Sequence, residues 1–251
     1  MAKLWYWGHS NVVSDTGDIM IVQLSELSKS YGAVQALQKL SLTIEAGEFV
    51  GLVGPNGAGK STTIQLLTAQ LMPTSGTVEI CGLDATESPN EVRHHIGYVP
   101  EFPKLYDYLT AEEMISFVAE IRGKGDVAWA LELTGLGADA QRPIQGYSQG
   151  MRRKTAIACA LVAKPELIVL DESLNGLDPP SVERVLNALE ELRQEGCAIL
   201  LSTHVLDTLE RLATRIVLLG DGQLQGDWPG NEISAVRAYF QRMVEGEESS
   251  K

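Results

Sequence analysis

Short apolar runs alternate with segments of helical spacing along most of the chain. One set of runs is typical of buried parallel strands and comprises Glu48–Val53, Ile96–Val99, Leu167–Leu170, Cys197–Leu201 and Arg215–Leu219. A second set is typical of an antiparallel portion and comprises Ile21–Leu27, Leu40–Ile44 and Thr77–Ile80. Strands that alternate with helices predict an α/β domain.

The pattern becomes helical over about residues 102–163. Thr110 and Glu113 have the spacing of a capping box, which marks the start of a helix. The predicted helices are Thr110–Ile121, Val127–Leu133 and an amphipathic helix over Tyr147–Ala163. The sequence therefore predicts a short helical lobe inserted into the α/β domain.

A glycine-rich segment directly after the first parallel strand matches the phosphate-loop pattern G-x-x-x-x-G-K-[ST]. It reads Gly54, Pro55, Asn56, Gly57, Ala58, Gly59, Lys60 and Ser61, with Thr62 next in the predicted helix. Glycines let the backbone curl so that N–H groups point at phosphate oxygens, and the helix N-terminus adds partial positive charge. Lys60 adds a full charge, and Ser61 offers a hydroxyl to Mg²⁺. This segment predicts a nucleotide phosphate site.

The apolar strand Leu167–Leu170 ends in two carboxylates, Asp171 and Glu172. Ligands bind at the carboxyl ends of parallel strands, so this strand can deliver Asp171 beside a Mg²⁺ held by Ser61. Glu172 points elsewhere and can orient or deprotonate an attacking water. A phosphate cradle, a metal and a group that positions the nucleophile are the parts that phosphoryl transfer needs.

Further motifs stand in a fixed order around these two elements. They are Tyr31 ahead of the glycine-rich loop, Ser148 and Gly150 at the start of a long helix, Asp178 after Glu172, and His204 after a buried strand. In this order and spacing the chain resembles the nucleotide-binding subunit of an ATP-binding cassette (ABC) transporter over residues 20–225. The resemblance implies the ABC ATPase fold, an α/β P-loop NTPase with a parallel-sheet core, an antiparallel β subdomain and a short helical subdomain.

The resemblance also implies roles, with ATP and Mg²⁺ as cofactors. Tyr31 resembles the aromatic residue that stacks on adenine, and Gly54–Thr62 resemble the loop that wraps the phosphates. Ser148 and Gly150 resemble the signature sequence, which contacts the γ-phosphate bound on the opposite subunit. The signature is usually Leu-Ser-Gly-Gly-Gln; this chain keeps the serine and the second glycine and replaces the other residues.

Five acidic or basic side chains receive roles from the same resemblance. Asp171 would bind the metal and Glu172 would act on the attacking water. Asp178 resembles the residue that crosses the dimer seam, and His204 the residue that donates to the γ-phosphate. Glu101 stands where glutamine is usual, so it keeps an oxygen for Mg²⁺ but adds negative charge. That charge either weakens ATP binding or sharpens its dependence on metal.

Composition narrows the possible partners. The formal net charge is −13 and the pI is near 4.8, which argues against direct contact with DNA, RNA or anionic lipid. No apolar stretch approaches the length of a membrane span, so a transport passage would lie in another polypeptide. The expected partners are a second copy of the chain or a homologous cassette, and a multi-span permease. The expected location is the cytoplasmic face of the membrane, peripheral through the permease.

The ends of the chain and its cysteines carry weaker signals. Residues 1–19 predict a disordered extension, with an aromatic segment that is either frayed or an anchor on a partner. Residues 20–225 predict the ATPase domain, and 226–251 a C-terminal helix and acidic tail. Three cysteines (Cys81, Cys159 and Cys197) stand among apolar residues and are interpreted as core fillers rather than metal ligands.

Three classes of function are compatible with a phosphate loop. The favoured hypothesis is the ATP-hydrolysing subunit of a transporter, in which ATP joins two cassettes; the short lobe and variant signature favour export. The alternative is a soluble mechanochemical ABC ATPase, whose known members carry a long coiled-coil insertion or a second cassette that this chain lacks. A kinase or GTPase is the third hypothesis, and it leaves Ser148 and His204 unexplained.

Overall fold

The structure, a computed structural model, describes residues 19–239. The predicted N-terminal extension lies outside the described residues except for residue 19. The predicted acidic tail also lies outside them. The strands are β1 (Met20–Tyr31), β2 (Val34–Glu45), β3 (Phe49–Val53), β4 (Ser75–Ile80), β5 (Leu83–Asp84), β6 (Ile96–Val99), β7 (Leu167–Asp171), β8 (Ala198–Ser202), β9 (Arg215–Gly220) and β10 (Gln223–Pro229). The helices are α1 (Lys60–Leu67), α2 (Pro89–His94), α3 (Ala111–Arg122), α4 (Val127–Thr134), α5 (Gln149–Leu161), α6 (Pro179–Gln194) and α7 (Leu206–Leu209).

The central sheet has the strand order β10-β9-β3-β8-β7-β6. Its strands β9, β3, β8, β7 and β6 are parallel, and β10 pairs antiparallel with β9 at one edge. Because the parallel strands run the same way, the segments that follow β3, β6, β7 and β8 meet at one edge of the sheet. The chain segments that carry the sequence motifs are therefore brought together at that edge.

The central sheet is covered on both faces. Along β7 the fully buried Leu167 and Val169 belong to one apolar cluster, whereas Ile168 and Leu170 belong to another. This alternation follows the period of two in a strand and explains why the run is apolar throughout. The first cluster packs against the smaller sheet, and the second packs against α5 and α6.

The smaller sheet is antiparallel, as the sequence predicts, with the order β2-β1-β4-β5. Both β1 and β2 are longer than their predicted apolar cores. Glu26 and Lys39 adopt positive φ angles of 49° and 52°, and the pairing register shifts between Leu24 and Leu27. Such bulges interrupt the alternation of apolar and polar positions, so the hydropathy pattern stops short of the strand ends.

The helical lobe agrees closely with its prediction. Thr110 and Glu113 make both hydrogen bonds of a capping box at the start of α3, and Gly123 in the left-handed region ends that helix. The lobe has its own small apolar clusters, centred on Ile115 and Ile144. Five of the helices and strands given above lie outside the predictions: α2, α6, α7, β5 and the edge strand β10, which continues the sheet past residue 225.

The cysteines are consistent with a packing role. Cys197 is buried, and Cys81 and Cys159 are partly buried. Burial raises the pKa of the Cys81 and Cys159 thiols to about 12, which keeps them protonated. Within the described residues no group of three or more His, Cys, Asp or Glu side chains could hold a metal ion.

Candidate functional site

A cleft of about 930 Å³ opens at the carboxyl ends of β3, β6, β7 and β8. Its lining consists of Ala36, Gly54–Thr62, Glu101, Asp171, Glu172, Asn175, Ser202 and His204. The structure thus gathers the predicted phosphate loop, both carboxylates after β7, Glu101 and His204 around one space. A cleft of this size is in the range of small-molecule sites.

The phosphate loop needs glycine because the surrounding backbone leaves no room for a side chain. Gly54 has φ +154°, and a Cβ there would lie 2.4 Å from the Leu219 carbonyl oxygen. Gly59 has φ +104°, and a Cβ there would lie 2.9 Å from the Ala36 carbonyl oxygen. Gly59 also precedes α1, whose N-terminus receives no side-chain cap. The first N–H groups of α1 are therefore available to an anion.

Lys60 is held over the loop that precedes it. Its Nζ donates to the carbonyl oxygens of Gly54 at 2.6 Å and Pro55 at 3.0 Å. Burial lowers the pKa of the Lys60 amine, and the negative charges of Glu172 and Asp171 partly oppose that shift. A phosphate in the cleft would supply the opposite charge that this partly desolvated ammonium favours.

Asp171 is fixed by the register of the central sheet. The register of β7 and β8 pairs Asp171 with Ser202, and the Ser202 hydroxyl donates to Asp171 Oδ1 at 2.9 Å. Burial raises the pKa of the Asp171 carboxyl; the Ser202 bond and Lys60 oppose the rise, whereas the Glu172 and Glu101 charges add to it. A cation at this carboxylate would relieve the buried negative charge.

Glu172 has a backbone φ of +48°, in the left-handed region. Its Oε2 accepts a hydrogen bond from Asn175 Nδ2 at 2.7 Å and lies 3.0 Å from His204 Nδ1. Among residues 19–239, no side chain donates to its other oxygen, Oε1. Glu172 can therefore be held through one oxygen while the other accepts a hydrogen bond from a water in the cleft.

The contact between Glu172 and His204 constrains the histidine. An ionised carboxylate can only accept a hydrogen bond, so Nδ1 of His204 carries the proton in this contact. The imidazole side chain is 63% exposed and lines the cleft. Its Nε2 can then donate to a phosphate oxygen only when the ring is an imidazolium.

The cleft contains oxygen atoms of the kinds that Mg²⁺ prefers as ligands. They come from the Ser61 hydroxyl and the carboxylates of Asp171 and Glu101, all of which line the same space. Mg²⁺ is usually bound through one or two carboxylates together with nucleotide phosphates, rather than by a cage of protein ligands.

Ser148, Gly150 and Asp178 lie outside the cleft lining. Ser148 is exposed and caps α5, where its hydroxyl accepts from Met151 N at 3.3 Å. Asp178 is exposed and caps α6, where its Oδ1 accepts from Ser181 N at 3.0 Å. The predicted signature residues and the predicted seam residue are therefore displayed on the surface of this chain.

Tyr31 also lies outside the cleft lining, at the end of β1. Its side chain is 47% exposed, and the Lys29 ammonium lies 5.3 Å from the ring centroid. The cleft reaches the same hairpin at Ala36 on β2. Adenine stacking on Tyr31 stays a prediction.

Two polar residues of the cleft were not predicted from the sequence. Ser202 lies next to Asp171 because of the pairing register of β7 and β8, and the hydropathy pattern does not predict that register. Asn175 reaches Glu172 only because the chain turns sharply after β7, where its own N–H donates to the Glu172 carbonyl oxygen at 3.2 Å. The signal for Asn175 is its place in a polar turn directly after two carboxylates.

Known proteins resemble this chain in both sequence and structure. Residues 37–175 match the family described as ABC transporter. The chain is 35% identical over 208 residues to the bacitracin transport ATP-binding protein BcrA of Enterococcus faecalis. The aligned region covers 81% of this chain and 68% of that protein. The chain belongs to the ABC transporter family. It is an ABC ATPase.

Two further similarities extend this comparison of the ABC ATPase. It is 34% identical over 223 residues to the daunorubicin/doxorubicin resistance ATP-binding protein DrrA of Streptomyces peucetius, which covers 85% of this chain and 67% of that protein. A dimeric post-hydrolysis structure of the ATP-binding cassette MJ0796 bound to ADP and phosphate superposes with a TM-score of 0.78 and 26% identity, covering 84% of this chain and 99% of that chain. The predicted ABC ATPase fold is confirmed.

Proposed function

We propose that this ABC ATPase drives export through a separately encoded membrane permease, and that ATP joins two cassettes during each cycle. The observation that carries the proposal is the position of Ser148, Gly150 and Asp178 outside the cleft that Gly54–Thr62 and Glu172 line. The resemblance assigns Ser148 and Gly150 to the γ-phosphate, yet within one chain they do not line its site. A second cassette supplies them from the opposite side.

The predicted residues of the cleft then have roles in phosphate binding and hydrolysis. Gly54–Thr62 wrap the phosphates, and Lys60 balances the charge of the terminal ones. Glu172 orients the attacking water through Oε1 and takes its proton. His204, held by Glu172, donates a hydrogen bond to the γ-phosphate. A Mg²⁺ held by Ser61, Asp171 and Glu101 would neutralise phosphate charge.

A homologous dimer supports the joining of two cassettes. The superposition covers 99% of the MJ0796 chain, and that cassette is dimeric with ADP and phosphate bound. In this chain the N-termini of α5 and α6 are exposed at Ser148 and Asp178. These exposed ends are available to a neighbouring copy or to a homologous cassette, with Asp178 at the seam.

The helical lobe supports a membrane permease as partner. Three aromatic side chains in the segment after Glu101 are largely exposed: Phe102 at 70%, Tyr106 at 61% and Tyr108 at 87%. Exposed aromatic residues are typical of protein interfaces. Within the described residues no helix is both long and apolar enough to cross a bilayer. We propose that the passage lies in a partner polypeptide in the membrane, with this subunit on its cytoplasmic face.

The direction of transport rests on relatives and on the lobe. The similar proteins DrrA and BcrA are named for drug resistance and for bacitracin transport, and resistance of this kind is served by removing the compound. The short lobe between β6 and β7 and the variant signature favour the same direction. We propose export on these grounds.

Glu172→Gln tests the proposal because the amide keeps the size of the side chain but cannot take a proton. We expect turnover to fall by at least about 100-fold, while ATP stays bound and holds a stable dimer. Phosphate release measures turnover, and size-exclusion chromatography with light scattering measures the dimer.

The matched control is Glu195→Gln, which changes an exposed carboxylate that pairs with Lys164 at 2.9 Å. This variant should hydrolyse ATP as the wild type does. Unchanged hydrolysis in Glu172→Gln would remove Glu172 from catalysis. Full-rate hydrolysis by a chain that is monomeric at every concentration would overturn the proposed dimer.

A further inference from the structure

We propose that Arg153 is a positioning residue for hydrolysis, acting on Glu172 through Asn175. Arg153 stands on α5 one turn after the Ser148 cap, and its side chain is partly buried. It does not line the cleft. The proposal rests on the catalytic role of Glu172 given above.

The guanidinium joins two loops that border the cleft. Its Nη1 donates to the Asn175 carbonyl oxygen, and its Nη2 donates to the Glu101 carbonyl oxygen at 2.9 Å. It also packs on the turn beside Asn175, where a Cβ on Gly176 would lie 3.3 Å from Nη1. The planar fork of arginine can make both bonds at once, whereas a lysine ammonium acts as a point charge.

Asn175 passes this restraint to the catalytic carboxylate. Its backbone carbonyl oxygen is fixed by Arg153, and its side-chain Nδ2 donates to Glu172 Oε2 at 2.7 Å. A loop held at Asn175 therefore sets where Oε2 lies, and with it the direction of Oε1. Because a misplacement of about 1 Å can cost a large factor in rate, such a restraint affects turnover.

The same contacts tie a chain's own Glu172 to the helix that begins at its own Ser148. In the proposed dimer, Ser148 faces the γ-phosphate of the other cassette. Arg153 thus connects the part of the chain that contacts the partner's nucleotide with the part that hydrolyses its own. The Glu101 loop, next to the exposed aromatic residues of the lobe, is held by the same guanidinium.

The experiment is a double-mutant cycle on turnover with Arg153→Ala and Asn175→Ala. We expect each single variant to lower kcat about tenfold with little change in KM, because neither substitution alters the phosphate loop. If Arg153 acts through the Asn175 side chain, the double variant equals Asn175→Ala alone. Arg153→Lys, which preserves the charge and the helix, should retain an intermediate kcat.

Arg152→Ala is the matched control, because Arg152 is the neighbouring arginine on α5 and pairs with Asp107 of the lobe at 2.5 Å. Its kcat should stay within about twofold of the wild type. Independent, multiplying losses in the double variant would overturn the proposal, as would a wild-type kcat in Arg153→Ala. Thermal unfolding of each variant separates a folding defect from a loss of positioning.

The cycle also separates this proposal from the proposed function. If Glu172→Gln holds an ATP-dependent dimer but Arg153→Ala turns over normally, the role of Arg153 fails and the cassette dimer stands. If Glu172→Gln stays monomeric, the dimer fails. A double variant equal to Asn175→Ala would then still support Arg153 as a positioning residue within one chain.

Discussion

The N-termini of α1 and α5 carry two parts of the predicted site, but only one of them has a side-chain cap. No side chain caps α1, whose N-terminus opens directly into the cleft at Lys60 and Ser61. Helix α5 is capped by Ser148, which lies outside the cleft and is exposed. The N-terminal N–H groups of α1 are available to a ligand in the cleft of the same chain. The Ser148 hydroxyl at the start of α5 is exposed on the surface instead.

We propose that this contrast separates residues that act within a chain from residues that act between chains. Changes at α1 should impair nucleotide binding by a single chain. Changes at α5 should leave that binding intact and impair only the assembled enzyme. The predictions below test this division.

Lys60→Ala should have the largest effect, because it removes the one full positive charge that the loop places at the terminal phosphates. We expect ATP affinity to weaken by about 100-fold, in line with the loss of charge-assisted hydrogen bonds. Isothermal titration calorimetry on the single chain measures it. Lys39→Ala, which removes an exposed lysine paired with Glu26, is the control. If Lys60→Ala bound ATP as tightly as the wild type does, the N-terminus of α1 would not contribute to nucleotide binding within one chain.

Ser148→Asp should have the next largest effect, and it separates the two uses of that side chain. Aspartate caps a helix as well as serine does, so the thermal unfolding midpoint should stay close to that of the wild type. Its negative charge would face the γ-phosphate of the other cassette, so turnover should fall by about 50-fold. ATP affinity of the single chain should not change.

Ser148→Asn is the companion variant, since it also caps α5 but carries no charge. Its turnover should lie between those of the wild type and Ser148→Asp. If Ser148→Asp instead weakened ATP binding by the monomer, Ser148 would belong with α1, and the division between the two helices would be wrong.

Tyr31→Ala should have the smallest effect. Loss of an aromatic contact is expected to weaken ATP affinity about fivefold, and Tyr31→Phe should retain it because the ring remains. The measurement compares ATP with inorganic triphosphate, since only the first carries adenine. An equal loss for both ligands would show that Tyr31 does not act on the base.

The parts of the site that the sequence predicts are those built from consecutive residues. The phosphate loop, the carboxylates after β7 and the capping box at Thr110 each follow from local pattern, and the structure places them as predicted. Helix α6 is absent from the predictions even though Asp178 and Pro179 carry the start signal of a helix. Its apolar positions are spread over an amphipathic face and do not form a run.

Contacts between segments are what the sequence does not reveal. Ser202 meets Asp171 through sheet register, and Arg153 meets Asn175 and Glu101 across segments distant in sequence. The left-handed backbone of Glu172 is a further case, because a glutamate gives no local sign of a positive φ. Such features depend on tertiary packing and on register.

The cap on α5 has a consequence for how quickly two cassettes can engage. Because Ser148 already completes that helix in the isolated subunit, the surface offered to the neighbour is preorganised, and docking orders little additional backbone. The entropy cost when two cassettes associate would then come mainly from their lost translational and rotational freedom. Their separation after hydrolysis would require no unfolding of α5. A cycle of this kind can repeat without any segment refolding between turnovers.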